Sequence, residues 1–526
     1  MAGQTQINVD LAEAMVTTAP PLADWLVVAP LVIGFVFGAL CLMMRKDTGR
    51  QPAIAITGLA LMLAADIGLF WHVWQNGTVA MTMGRWLPPF GITFAADMLG
   101  ATFALVAGIV GLAGGVYALE DVNQTGRRYG FYPFLLLMMA GVTAAFLTGD
   151  IFNLYVWFEV LLIGSFGLLV LGSEREQLDG ATKYALLNLV ATTLFLLAVA
   201  YLYGTLGTLN MADIARKVAE RRDAGPLFTI AAMFLFAFAM KAAAFPVNFW
   251  LPASYHTPRI VVSGLFAGLL TKVGIYALLR IFLMLFEVER DLLAGTIAVV
   301  AAATMVLGAM GALAQNDIRR MLGYLVISGI GMMLAGLALG SRTGLSGAVF
   351  YAAHSMVVMT ALYFLAGIMG ERMRGFSLRE AGGLYSQAPW LAGVGLVLFL
   401  AVSGLPPFSG LWPKAFLVKA SLDVGAWWLA LAILVTGLLT TIAVGRTFAF
   451  AFWRERQVPD DETPAPASSK AVVGSLLGLT FLTIAVGFYP EPFVQVTDRI
   501  AGELLSPQAY VDSVFPTGAI ESEVQP

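Results

Sequence analysis

The sequence predicts an all-α polytopic membrane protein with about fourteen transmembrane helices. Of its 526 residues, 59% are hydrophobic and only 12% are charged, whereas about 25% of the residues of a typical soluble domain are charged. Apolar runs of roughly 18 residues or more recur along the chain, and each is long enough to cross about 30 Å of hydrocarbon. A helix satisfies its own backbone hydrogen bonds, so helices are the expected spanning structure. This composition excludes a soluble globular protein.

The predicted spans are separated by short polar connections. In chain order they cover residues 24–44, 52–75, 97–118, 130–148, 151–172, 183–206, 227–250, 260–286, 293–314, 321–340, 344–370, 389–420, 425–452 and 471–489. The twelfth is too long for one regular span, and Pro406 and Pro407 interrupt it. Pro246 interrupts the seventh in the same way, because proline lacks a backbone donor and displaces the carbonyl four residues earlier. Both helices are therefore predicted to be broken.

The two broken helices are five spans apart, which indicates an internal repeat. Unusual helices at corresponding positions of two halves are typical of inverted-repeat transporters. Helices 4–8 and 9–13 are the two predicted five-helix units, with opposite topologies. The predicted organisation is helices 1–3 in residues 1–129, the first unit in 130–286, the second in 287–456, and a cytoplasmic loop, helix 14 and the C-terminal tail in 457–526.

The basic residues of the loops predict the orientation. Cytoplasmic loops carry an excess of Lys and Arg, and the loops that contain Arg45, Arg127 and Arg319 fall on one side. Both termini are then expected outside. The loop 209–223 is basic and yet falls outside, but its apolar spacing predicts a short amphipathic helix lying on the surface. A second surface helix is predicted near 496–505.

Four ionisable side chains lie deep inside predicted spans, namely Glu159, Lys241, Lys272 and Lys414. A charge at the bilayer centre costs at least about 2.5–3.5 kcal/mol, so such residues usually mark an ion or proton pathway. One carboxylate followed by three amines indicates a proton relay. The structural alternatives are a protonated Glu159 bonded to a neighbouring backbone, and a Lys241 whose long stem reaches the interface.

Two of these lysines lie near backbone carbonyls that prolines leave without a helical partner. In the seventh helix the freed carbonyl belongs to Ala242, next to Lys241. In the twelfth, the carbonyls of Val402 and Ser403 are freed on the N-terminal side of Lys414. Both breaks are therefore expected to be polar and open to water.

Three further residues are possible members of the relay. His256 and His354 could exchange protons near neutral pH, but each could equally be a structural histidine bonded to a nearby carbonyl. Lys183 is expected to begin the sixth helix, where it either anchors at the interface or pairs with Glu159. Asp66 and Asp97 lie outside both predicted repeats and are expected to stabilise packing or a partner interface.

The remaining composition points to no other chemistry. The formal net charge is −3, and no basic block suggests nucleic-acid binding. Three histidines and one cysteine, scattered over different spans, form no metal-ligand pattern. The sequence therefore predicts no catalytic residues, no metal and no cofactor.

The motifs around these residues resemble those of the proton-translocating antiporter-like family. MKAAAFPVNFWLPASYHTPRIVVSGLFAGLLTKVGIYALLR is similar to the signature of its helices 7 and 8, LTGDIFNLYVWFEVLLIGSFGLLVLG to that of helix 5, and SGLPPFSGLWPK to that of helix 12. The family comprises the A-type and D-type proteins of Mrp cation/proton antiporters and three proteins of respiratory complex I. Chain length and Lys414 make the chain most similar to the D-type branch.

The resemblance implies roles for single residues. Glu159 and Lys241 correspond to the family's helix 5–helix 7 pair, and Lys272 and Lys414 to its helix 8 and helix 12 lysines. Family members often carry a lysine a few residues after the helix 11 histidine, whereas this chain has Met359 there. The central step is then expected to depend on His354 and water.

The resemblance also implies a function, which is exchange of cytoplasmic Na⁺ or K⁺ for external protons in a bacterial inner membrane. The expected partners are an A-type antiporter protein, small membrane proteins of the same complex and the lipid bilayer. One alternative is a proton-pumping component of complex I or of a membrane-bound hydrogenase. Another is a scaffold whose buried charges only specify helix packing.

Overall fold

The computed structural model describes Met15 and residues 19–220, 226–455 and 469–515, and most of these residues are helical. The helices of the first part are α1 (Ala29–Met43), α2 (Gln51–Asn76), α3 (Met98–Asp121), α4 (Gln124–Arg128), α5 (Phe131–Leu147), α6 (Ile151–Leu169), α7 (Arg175–Leu206) and α8 (Met211–Glu220). The next are α9 (Leu227–Ala242), α10 (Trp250–Ser254), α11 (Ile260–Leu285), α12 (Glu287–Ala314), α13 (Ile318–Leu339) and α14 (Arg342–Met373). The last are α15 (Leu384–Gln387), α16 (Pro389–Ser403), α17 (Leu411–Asp423), α18 (Trp427–Trp453), α19 (Lys470–Phe488), α20 (Glu491–Leu505) and α21 (Gln508–Val514).

Membrane-crossing helices dominate this architecture. Within the described residues, ten helices are long and apolar enough to cross a membrane, and four more are shorter apolar helices, namely α1, α5, α9 and α16. All fourteen overlap the predicted spans, so the all-α membrane class is confirmed. The total number of spans and the inverted repeats stay predictions. Of the loop predicted at the start of 457–526, residues 457–468 lie outside the described residues.

Both predicted helix breaks are present. Helix α9 ends at Ala242, and Ala243 follows in the left-handed conformation with φ of 61°. The backbone N–H of Phe245 then donates to the Thr304 hydroxyl over 3.0 Å, which satisfies a donor that the break exposes. Helix α16 ends at Ser403, and the chain resumes as α17 at Leu411.

Helix α11 forms the centre of the core and is buried along its whole length. Two π turns interrupt it, at Phe266–Leu270 and Ile281–Leu285. The sequence predicts one regular span here and does not reveal the π turns. A π turn adds one residue to a helical turn, without the signature of a proline or glycine break. Such turns occur frequently at functional sites.

Helix α3 holds α11 at both ends. At one end the carboxylate of Asp121 accepts a hydrogen bond of 2.9 Å from the backbone N–H of Val261, in the first turn of α11. At the other end Asp97, the residue before α3, binds the guanidinium of Arg280. The two helices are thus joined near both ends of α3.

The face that carries Asp97 is closed by a hairpin and by the C-terminal helices. Strands β1 (Val79–Thr82) and β2 (Thr93–Ala96) pair antiparallel, with Val79 opposite Ala96. This short hairpin was not predicted from the sequence. Helices are present at both positions where surface helices were predicted, as α8 and α20. From α20, Arg499 donates to the carbonyl of Trp74 over 2.7 Å, at the C-terminal end of α2.

Candidate functional site

The lysines of the predicted relay lie on three different helices and are all buried. Lys241 in α9, Lys272 in α11 and Lys414 in α17 are 4%, 0% and 9% exposed. Glu159 in α6 is half-buried. An ammonium group in such surroundings needs an acceptor or a counter-ion, so the partners of each one indicate what it can do.

Lys241 differs from the other two lysines because its amine has no hydrogen-bond partner in the described part of the chain. Its Nζ lies 5.0 Å from the centroid of the Phe158 ring, a cation–π contact. Phe158 precedes Glu159 on α6. The side chains of Lys241 and Glu159 are not in direct contact. The structure therefore shows the pair in a separated arrangement.

Lys272 lies just after the first π turn of α11. Its Nζ donates a hydrogen bond of 2.5 Å to the carbonyl of Ala267, inside that turn. Beside it, the Thr360 hydroxyl of α14 donates to the carbonyls of Gly264 and Met356 over 3.1 and 2.8 Å. The π turn thus provides a polar site for an ammonium group in the middle of a buried helix.

Lys414 binds the carbonyls that the prolines of the twelfth predicted span leave free. Its Nζ donates to Val402 over 3.0 Å and to Ser403 over 2.6 Å. These are the last residues of α16, where the negative end of the helix dipole also favours a cation. The two broken helices differ here, because Lys241 precedes its break whereas Lys414 follows its own.

Glycine at position 404 is required for this geometry, which leads to a prediction. A Cβ on Gly404 would lie 2.4 Å from Cδ of Lys414, and its φ is 80°. We expect Gly404→Ala to displace Lys414 and to lower ion exchange at least threefold per assembled complex. Gly425→Ala is the matched control, since Gly425 has a φ of 73° with no neighbouring atom within 4 Å. Equal transport by the two variants would contradict the prediction.

His354 on α14 lies between the second and third lysines. Its Nδ1 is 2.9 Å from the hydroxyl of Ser409, in the break before α17. The Met359 side chain is buried in the same helix. The structure therefore brings His354 together with the break that holds Lys414.

His256 has a different environment, in the connection between α10 and α11. Its Nδ1 lies 2.8 Å from the carbonyl of Pro252 and its Nε2 lies 3.0 Å from the guanidinium of Arg320. Burial and the positive charge of Arg320 lower the pKa of His256. The imidazole is accordingly neutral near pH 7, with Nδ1–H donating and Nε2 accepting. These contacts correspond to the structural alternative for this residue.

The expected position of Lys183 at the start of its helix is wrong. Helix α7 begins at Arg175, so Lys183 lies inside the helix and does not begin it. Its ammonium pairs with Asp179 over 2.5 Å on an exposed face, and not with Glu159. The spacing of four residues makes this local pair available on one helix face.

Arg280 is a buried charged residue that the sequence analysis did not single out. It is 2% exposed, and it makes two hydrogen bonds of 2.7 and 2.6 Å to the carboxylate of Asp97. It also bonds the hydroxyl of Tyr276 over 3.1 Å, and that hydroxyl donates to the carbonyl of Phe146. Lys272, Tyr276 and Arg280 follow at intervals of four residues, which was a readable signal of one polar helix face.

Asp66 is a further buried acid, on α2. It is fully buried in α2 against Gly108, and neither carboxyl oxygen has a hydrogen-bond partner among the described residues. Over residues 19–220, 226–455 and 469–515, no three His, Cys, Asp or Glu side chains come together as a candidate metal site.

Comparison with known proteins places this site in a family. A family model described as "NADH:quinone oxidoreductase/Mrp antiporter, TM" matches residues 148–440, more than half of the chain, and this range includes the three buried lysines. The D subunit of the Na⁺/H⁺ antiporter of Alkalihalophilus pseudofirmus is 39% identical over 495 residues, covering 93% of this chain and 99% of that protein.

Solved structures give the same result. A chain of the Mrp complex from Dietzia sp. superposes with a TM-score of 0.85 and 28% identity, covering 94% of this chain and 100% of that chain. A chain of respiratory complex I from Thermus thermophilus gives a TM-score of 0.80 and 25% identity, covering 93% and 99%. The chain therefore belongs to the NADH:quinone oxidoreductase/Mrp antiporter family of membrane proteins.

Proposed function

We propose that the chain is the proton-translocating D subunit of a multisubunit monovalent cation/proton antiporter in a bacterial plasma membrane. It exchanges cytoplasmic Na⁺ or K⁺ for external protons together with other membrane subunits, and both termini lie outside. The observation that carries the proposal is the row of buried amines at broken or π-wound helices. Similarity over 93% of the chain to a protein named as the D subunit of an Na⁺/H⁺ antiporter supports assigning proton transfer to these amines.

In this proposal, protons move from Lys241 through Lys272 and His354 to Lys414. Glu159 stabilises the Lys241 ammonium when the two side chains approach, since a pair at about 4 Å is worth about 4 kcal/mol at an effective dielectric near 20. In the separated arrangement Lys241 has no counter-ion, and its proton passes on to Lys272. The contact of Lys241 with Phe158 instead of Glu159 supports this step.

The second half provides the other end of the path. The bond between His354 and Ser409 connects the central helix α14 with the break that holds Lys414. The carbonyls of Val402 and Ser403 stabilise the protonated amine. No oxygen-rich cation site is part of this row, so we assign cation binding to the complex formed with the partner subunits.

The experiment that tests the function uses the complete complex in everted membrane vesicles. A pH gradient is imposed across the vesicle membrane and followed with a pH-sensitive dye while Na⁺ or K⁺ is added. We expect addition of the cation to dissipate the gradient within the assay. Vesicles without the complex serve as the control, and an unchanged gradient in both would contradict the proposal.

The second candidate is a proton-pumping protein that is driven by redox chemistry in other chains. The structural similarity to a chain of respiratory complex I, with a TM-score of 0.80, supports this second candidate. It predicts that an electron donor, rather than an added cation, changes the pH gradient in the same vesicles. It also predicts that flavin or iron–sulfur proteins purify with this chain.

A further inference from the structure

A groove between α1 and α5 opens on the face of the protein opposite to Asp97. It has a volume of about 470 Å³, and its lining includes Gly34, Gly38 and Leu42 on α1, and Pro133, Phe134 and Leu137 on α5. From Leu42 to Gly34 it extends about 12 Å along the helix, at 1.5 Å per residue. That is close to half of a hydrocarbon core of about 30 Å. One acyl chain of a membrane lipid fits this depth.

The shape of the groove comes from two glycines. Gly34 and Gly38 are one helical turn apart, and a Cβ on Gly34 would lie 2.9 Å from Cβ of Ala140. The helices therefore cross closely at Gly34 and diverge towards the connection that begins α5. A Cβ on Gly38 would have Cβ of Leu136 as its nearest neighbour, at 3.5 Å. The lining is apolar up to the mouth.

The mouth of the groove is basic. Arg45, just after α1, and Arg128, at the end of α4, both line it, together with the exposed ring of Tyr129. Both arginines are exposed, and neither has a side-chain partner in the described ranges of the chain. None of the residues lining the groove is acidic. Two unpaired guanidinium groups above an apolar groove match an anionic headgroup above its acyl chains.

We propose that this groove is a binding site for an anionic phospholipid, with Arg45 and Arg128 on the headgroup phosphate and the α1–α5 groove on one acyl chain. The basic loops predict that this face is cytoplasmic, which is the leaflet where anionic lipids give the surface its negative potential. A zwitterionic lipid has the same acyl chains and a phosphate, but its own cationic group repels the arginines. The two arginines at the mouth of the groove therefore select lipids by the charge of the headgroup. It does not depend on the proposed transport function.

The test measures lipid binding to the purified, delipidated complex. Phosphatidylglycerol is titrated against the complex, and bound lipid is counted by native mass spectrometry, with phosphatidylcholine of identical acyl chains in parallel. We expect phosphatidylglycerol to bind at least tenfold more tightly, and Arg45→Gln/Arg128→Gln to remove that preference. Lys46→Gln is the matched control, because Lys46 neighbours Arg45 without lining the groove. Arg45→Lys/Arg128→Lys is expected to retain most of the preference.

A second arm tests the groove itself. Gly38→Leu places a side chain in the groove and leaves both arginines in place, and we expect at least fivefold weaker phosphatidylglycerol binding. Inorganic phosphate at the same concentration is expected not to compete, which distinguishes a lipid from a free anion. Wild-type affinity in the Arg45→Gln/Arg128→Gln variant, or equal binding of both lipids, would overturn the proposal. The proposal would also be overturned if a photoreactive phosphatidylglycerol did not crosslink to the groove in the complete complex, which would mean that another protein covers it.

Discussion

Replacing Lys241 with methionine is expected to lower cation/proton exchange to below one tenth of the wild-type rate per assembled complex. Methionine keeps most of the apolar stem but removes the ammonium group that lies over the Phe158 ring. The Lys241 amine has no hydrogen-bond partner in the described residues, so its loss leaves no buried acceptor unsatisfied and assembly is expected to persist. The measurement is cation-dependent dissipation of a pH gradient in vesicles, normalised to the amount of complex.

Lys183→Met provides the control for that experiment. Lys183 is a lysine in an apolar helix of the same half, but its exposed ammonium pairs with Asp179. We expect near wild-type exchange from this variant. If Lys241→Met exchanges cations as fast as Lys183→Met, Lys241 is not part of the proton path.

Asp97→Asn is expected to be the most damaging single change for stability and assembly. It leaves the Arg280 guanidinium buried without its carboxylate, and breaking a buried ion pair in this way costs about 3–5 kcal/mol. The loss is large because Arg280 joins α11 to α3 at the face closed by the C-terminal helices. The measurement is the amount of assembled complex in the membrane and its midpoint of thermal unfolding in detergent.

A double variant separates the charge from the packing. Asp97→Leu/Arg280→Met removes both charges and keeps apolar volume, and such replacements are often neutral or stabilising. We expect the double variant to assemble better than Asp97→Asn alone. A wild-type unfolding midpoint for Asp97→Asn would show that the ion pair does not hold the two helices together.

The sequence predicted the fold well where one local rule decides the structure. Apolar runs determine where helices cross the membrane, and the prolines determine which carbonyls stay free. The carbonyls of Val402 and Ser403, which accept from Lys414 in the structure, were among those predicted to be free. The amphipathic spacing of 211–218 likewise fixed the position of α8. These features depend on neighbours within one helical turn.

Features that depend on distant parts of the chain could not be predicted in the same way. The partner of Arg280 is 183 positions away, and no local pattern joins Asp97 to it. The π turn before Lys272 lies where α11 packs against α14, and Thr360, 96 positions from Gly264, donates to the carbonyl of Gly264 there. Lys183 shows the opposite case, because pairing with Glu159 was only one of two alternatives and the partner in the structure, Asp179, is one turn away.

The attachment of α11 at both ends has a consequence for how Lys272 can move. With Val261 held by Asp121 and Arg280 held by Asp97, neither end of this helix can slide or swing while its partner helix stays in place. Any change that frees the Lys272 amine from the carbonyl of Ala267 must then occur between these two anchors, as a local change in winding. Shifting the extra residue of the π turn along the helix would rotate the buried segment about the helix axis while both ends stay in place. In that case a proton step at Lys272 needs no movement of whole domains.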